Sequence, residues 1–155
     1  MGKIEARLKE LGIELEEVQP PKYQYVPAKV FGGNLVYTSG QDCRINGELM
    51  YTGKVGKDLT LEQAREAARR TAINCIKVIK YAAGDLDRVK QVVKVLGWVN
   101  SADGFVEQPL VIDACSELMY EVFGEKGRHA RSAVSANELP FDTPVEIEMI
   151  VELED

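Results

Sequence analysis

The chain has 155 residues, 45% apolar and 28% charged, with 19 basic against 25 acidic side chains and a formal charge of −6. A chain of this length can bury roughly 70% of its unfolded surface without a disulfide or metal staple, and its three cysteines, odd in number and far apart, suggest neither. The negative field repels a polyanion and so disfavours an extended nucleic-acid surface, no stretch reaches the ~18 apolar residues of a membrane span, and the charged start lacks a signal peptide's apolar centre, so a cytoplasmic location is expected.

Ile4, Leu8 and Leu11 recur at helical spacing, which predicts a short helix ended near Gly12. Residues 1–20 then read as a helical extension, closed by Pro20 and Pro21. "YVPAKV" and "LVYTSG" are β-rich and flank "FGGN", a hairpin signal. Gln41 to Asp58 carries Gly47, Gly53 and Gly56 and reads mainly as loop, with a short strand near Leu49–Thr52. Thr60 and Gln63 make a capping-box pattern that opens a long helix. Its apolar stripe is Ala64, Ala68, Ala72, Cys75, Ile76 and Ile79, and Gly84 stops it.

"RVKQVVKVLGWVN" is apolar at both parities from Val92 to Val95, as a central strand covered on both faces would be. A second helix, roughly Pro109 to Phe123, packs Val111, Cys115, Leu118, Met119 and Val122. Two strands, Ala130–Ala136 and Val145–Leu153, follow it. In the second of these, Glu146, Glu148 and Glu152 share one face, which alternation alone assigns to a solvated edge. The order argues for one α+β domain over residues 1–155: a mixed sheet with two long helices packed on one face.

The pieces "YVPAKVFGGNLVYTSGQ", "AAGDLDRVKQVVKVLGWV", "YEVFG" and "ARSAV…LP…VEIE" resemble, in order, the YjgF/RidA family of reactive-intermediate deaminases, also called endoribonuclease L-PSP. The resemblance implies a chorismate-mutase-like fold and a homotrimer with clefts between subunits. It implies that Arg131 grips the carboxylate of an imine or enamine and that Glu146 positions or activates water. Ser39 and Tyr25 would line the same cleft, Tyr25 from a neighbouring subunit. Guanidinium suits the first role, because it is planar, always charged and pairs both carboxylate oxygens at once. Three departures mark a distinct branch: Ala133 replaces the family's cysteine, Glu117 falls near its cleft asparagine, and Arg128 and His129 replace Phe-Pro.

The activity implied is hydrolysis of 2-aminoacrylate or 2-iminopropionate to a 2-oxo acid and ammonia, with neither metal nor organic cofactor. Two alternatives stand beside it. One is an endoribonuclease, for which only Arg128 and His129 speak. The other is a non-catalytic trimer that binds a small carboxylate, which Arg131 would serve equally well. An arginine in a strand is otherwise most often a surface ion-pair partner. Ser39 before Gly40 would then merely end a strand, His129 would be an exposed rim residue, Cys75 and Cys115 would be core, and Cys43 would lie in a loop near the cleft.

Overall fold

In the computed structural model, which describes residues 1–155 throughout, the chain opens with helix α1 (Lys3–Glu10). Eight residues are too few to hold a helix unaided, so its stability comes from the rest of the fold. The Asp87 carboxylate accepts hydrogen bonds from the Ile4 and Lys3 amides at 2.9 and 3.0 Å, and these bonds hold its pKa below the ordinary carboxylate value. Leu8 is buried, while Ile4, Leu11, Ile13 and Leu15 pack against the same core. Arg7 Nε donates to the Glu121 carbonyl at 2.7 Å. The extension is thereby strapped across the helical layer.

Strands β1 (Ala28–Phe31) and β2 (Leu35–Thr38) form the expected hairpin. A separate small ladder joins β3 (Arg44–Ile45) and β4 (Glu48–Leu49), so the short strand expected near Leu49–Thr52 begins and ends earlier. Helix α2 (Leu61–Ala83) starts at Thr60 with both bonds of the capping box made, and every residue of its expected stripe is buried. Strand β5 (Val89–Asn100), helix α3 (Gln108–Phe123), strand β6 (Ala130–Ala136) and strand β7 (Val145–Leu153) complete the chain.

The main sheet has the order β1-β2-β7-β5-β6. Every pair is antiparallel except β5 with β6, and that parallel pair needs the crossover that α3 provides. Helices α2 and α3 lie on one face. Val92, Val95, Ile147, Met149 and Val151 point into that layer, and a single core runs from Leu8 to Leu153. Tyr37, Leu96, Trp98, Val134 and Ile150 lie on the opposite face, half-buried or exposed.

Three expectations change. Strand β7 is no solvated edge: it runs between β2 and β5, so Glu146, Glu148 and Glu152 stand half-buried near the middle of a sheet face. The double parity at Val92–Val95 includes a bulge, because the β5/β7 register slips between Val92 and Lys94 and lets both Val92 and Val95 face the core. Cys43, expected in a loop near the cleft, is fully buried in the core. Burial also pushes the thiols of Cys75 and Cys115 up, the latter to about 12, as expected of inert core residues. No helix is long and apolar enough to cross a membrane.

Candidate active site

Arg131 faces the helical side of β6, since it pairs laterally with the buried Val95. Strand β6 is the sheet's edge, and α3 runs alongside it. Asp113 and Ser116, one helical turn apart on α3, therefore meet the guanidinium: Nη1 donates to Asp113 Oδ1 at 2.6 Å and to Ser116 Oγ at 3.2 Å. The side chain keeps 23% of its surface exposed. Nε and Nη2 donate no hydrogen bond within the chain, so one edge of the fork is held and another is open to a ligand. Arg131 lines a cleft of about 250 Å³ together with Ser116, Tyr120, Gly127, Arg128 and His129.

Two other sequence expectations fall differently around this cleft. Glu117 is not among its lining residues. Its carboxylate accepts from Arg65 Nη2 at 2.9 and 3.1 Å, because a step of one residue past Ser116 turns it about 100° round the helix, toward α2. His129 is half-buried and not an exposed rim residue. Ala133, next on the Arg131 face, packs against the core.

Glu146 lies on the other face of the sheet. Its neighbour across the ladder is Trp98, and the β2–β7 junction brings the Ser39–Gln41 segment beside it. Gln41 and Ile147 exchange both backbone bonds, at 2.8 and 3.0 Å. A Cβ on Gly40 would come 2.7 Å from Glu146 Oε2, so only glycine lets the backbone approach this closely without displacing the carboxylate. Glu146 has no hydrogen bond or ion pair within the chain. Burial, with the charges of Asp42 and Glu148 added, raises its pKa above the ordinary value of 4.5. A half-buried carboxylate whose pKa is raised by its surroundings is a candidate for a functional site.

Ser39 Oγ donates to the Val26 carbonyl at 2.6 Å. Ser39 and Tyr25 line a second cleft of about 440 Å³ together with Tyr37 and Phe31. Tyr25 thus stands beside Ser39 within one chain. The residues expected to act together form two groups: Arg131 on the helical side at the β6 edge, and Tyr25, Ser39 and Glu146 around the β2–β7 junction. One chain does not bring Arg131 and Glu146 together, because they lie two strands apart on opposite faces. Asp113, Ser116 and Gly40 were not singled out in the sequence. The only signals were the helical-turn spacing of the first two and the Ser-Gly dipeptide of the third. No group of three or more His, Cys, Asp or Glu side chains is arranged to hold a metal ion.

A family model described as "YjgF/chorismate_mutase-like, putative endoribonuclease" matches residues 5–153. The chain belongs to the YjgF family. Protein TCP17 of Trypanosoma cruzi is 41% identical over 153 residues, which is 98% of this chain and 95% of that protein. The protein Atu1372 of Agrobacterium tumefaciens is 44% identical and superposes with a TM-score of 0.89 over 98% of this chain and 92% of its own. A protein of Shewanella oneidensis MR-1 described as "a putative endoribonuclease" is 34% identical, with a TM-score of 0.93 over 98% of this chain and 100% of its own. The mixed sheet, its strand order and the helical layer are therefore those of a YjgF-family domain.

Proposed function

We propose that this YjgF-family protein hydrolyses the imine of a small 2-amino acid to the 2-oxo acid and ammonia. The observation that carries the reading is the guanidinium of Arg131, fixed through one nitrogen by Asp113 and Ser116 and open at its other two nitrogens in a cleft. That edge fits a carboxylate bidentately. The C=N carbon of a 2-imino acid is already electrophilic, so the protein has only to orient it and deliver water. Water adds to that carbon and its proton passes to the nitrogen. The tetrahedral carbinolamine then breaks its C–N bond, and ammonia leaves as the hydroxyl oxygen becomes the ketone. Glu146, its pKa raised by burial, suits the relay of these protons. Its place on the opposite sheet face requires that a second copy complete the site, as in a closed trimer.

The family description names an endoribonuclease, and Arg128 above the Tyr120 ring beside His129 is the feature that favours it. RNA cleavage calls for a longer basic and aromatic groove than this cleft, on a protein without the net charge of −6. One experiment separates the readings. The purified protein is titrated with 2-oxo acids while 2-aminoacrylate, generated by a serine dehydratase, is followed to ammonia. Parallel samples receive single-stranded RNA. Imine hydrolysis proportional to protein is the expected result. Binding without turnover would leave a carboxylate sensor, and RNA cleavage lost on replacing His129 would leave a nuclease.

A further inference from the structure

Arg131 is not the only cation in its cleft. Arg128 and His129 line the same space, together with Ser116 and Tyr120. Arg128 is held in place by its plane and only loosely by its charge. Its guanidinium carbon sits 4.7 Å from the centre of the Tyr120 ring, and Nε lies 3.0 Å from Glu125. The two charged side chains are 66% and 77% exposed, so water and salt screen that pair. Arg128 can therefore exchange Glu125 for a ligand anion while it stays stacked on Tyr120.

His129 supplies an independent sign. Its Nδ1 lies 3.0 Å from the Ala130 carbonyl, which makes Nδ1 the protonated nitrogen of the neutral ring. Nε2 is then an acceptor, and it is buried with no partner in the chain. A buried polar atom without a partner is costly and calls for an explanation. Burial, then the charges of Arg131 on β6 and Lys94 on β5, hold the imidazole pKa below 6.5. Arg128 adds a third positive charge beside it, and Asp113 on α3 is committed to Arg131. Three cationic or protonatable groups thus surround a space that a single carboxylate on Arg131 does not fill.

We propose that the cleft accepts a ligand with two anionic groups, a 2-imino or 2-oxo dicarboxylate, its α-carboxylate on Arg131 and its distal carboxylate between Arg128 and His129. The first contact rests on the carboxylate-imine reading of Arg131; the second is independent of turnover. The negative charge of the distal group favours the protonated imidazole, so binding is accompanied by proton uptake.

The test compares 2-oxoglutarate with 2-oxopentanoate, which share a carbon chain and differ in a distal carboxylate against a methyl group. Calorimetry on the parent should show 2-oxoglutarate binding at least fivefold tighter. Its binding heat should depend on the ionisation enthalpy of the buffer, and that dependence should disappear in His129→Asn. Arg128→Gln should bring the affinity ratio to near one, whereas Arg128→Lys retains part of the preference. Melting temperatures exclude a folding defect. Equal affinities, absence of binding by either acid, or a preference undiminished in Arg128→Gln would each overturn the proposal. A dicarboxylate preference without imine hydrolysis would remove the deaminase reading and leave this one standing; hydrolysis without preference would do the reverse.

Discussion

Arg131 and Glu146 became candidates through the "ARS" and "VEIE" motifs, and the geometry gives each a physical character. Lysine at position 131 keeps the charge but replaces a planar fork with a point ammonium. Arg131→Lys should therefore weaken 2-oxo acid binding by about 10- to 150-fold, the scale of one charge-assisted pair, with little change in melting temperature. A surface arginine would leave affinity untouched. Glu146→Gln should keep carboxylate binding and lower turnover by about 10²-fold. It also carries a stability signature. Because the folded pKa of Glu146 is raised, the folded state holds its proton more tightly, and stability falls as pH rises from the ordinary value of 4.5 through the raised one. The variant should thus melt higher than the parent at pH 7, and the gap should close below about pH 4. A gap that widens on acidification would mean that Glu146 is stabilised as an anion. Asp113 and Ser116 stayed illegible for a simple reason. Two polar residues a turn apart look like any solvated helix face, and the partner that gives them meaning lies 15 to 18 residues further on.

At the scale of elements, the bounds of α2, α3, β6 and β7 were readable because periodicity and caps are local. Strand order was not, since it is set by pairings remote in sequence. Hence β7 passed for an edge, and the bulge in β5 passed for two-sided cover alone. The short 3-10 turn between α3 and β6 borders the cleft through Gly127. There a Cβ on Gly127 would meet the Met119 carbonyl oxygen at 2.1 Å, so turn and helix touch backbone to backbone. Gly127→Ala must push α3 away from the start of β6. It should destabilise by about 1–3 kcal/mol, as overpacking does, and weaken 2-oxo acid binding at the same time. A loss of stability with affinity intact would show that the cleft does not depend on this contact.

At the scale of the whole molecule, one sheet face is left with Tyr37 and Val134 exposed beside half-buried Leu96, Trp98 and Ile150. Apolar surface of that kind is commonly covered by another chain. The division of the candidate residues between opposite faces gives a second reason for assembly, and a closed homotrimer meets both. Light scattering should return three times the 17.2 kDa of the chain; a monomer at micromolar concentration would remove the shared site. The claim that Arg131 of one copy and Glu146 of another act on one ligand has a direct test. Arg131→Lys and Glu146→Gln chains, each strongly impaired alone, are co-expressed with different tags and the mixed assemblies isolated. In a mixed trimer of either composition one inter-copy site in about three regains both native residues, so imine hydrolysis should return to about a third of the parent rate. Mixed assemblies no more active than either variant alone would contradict the account.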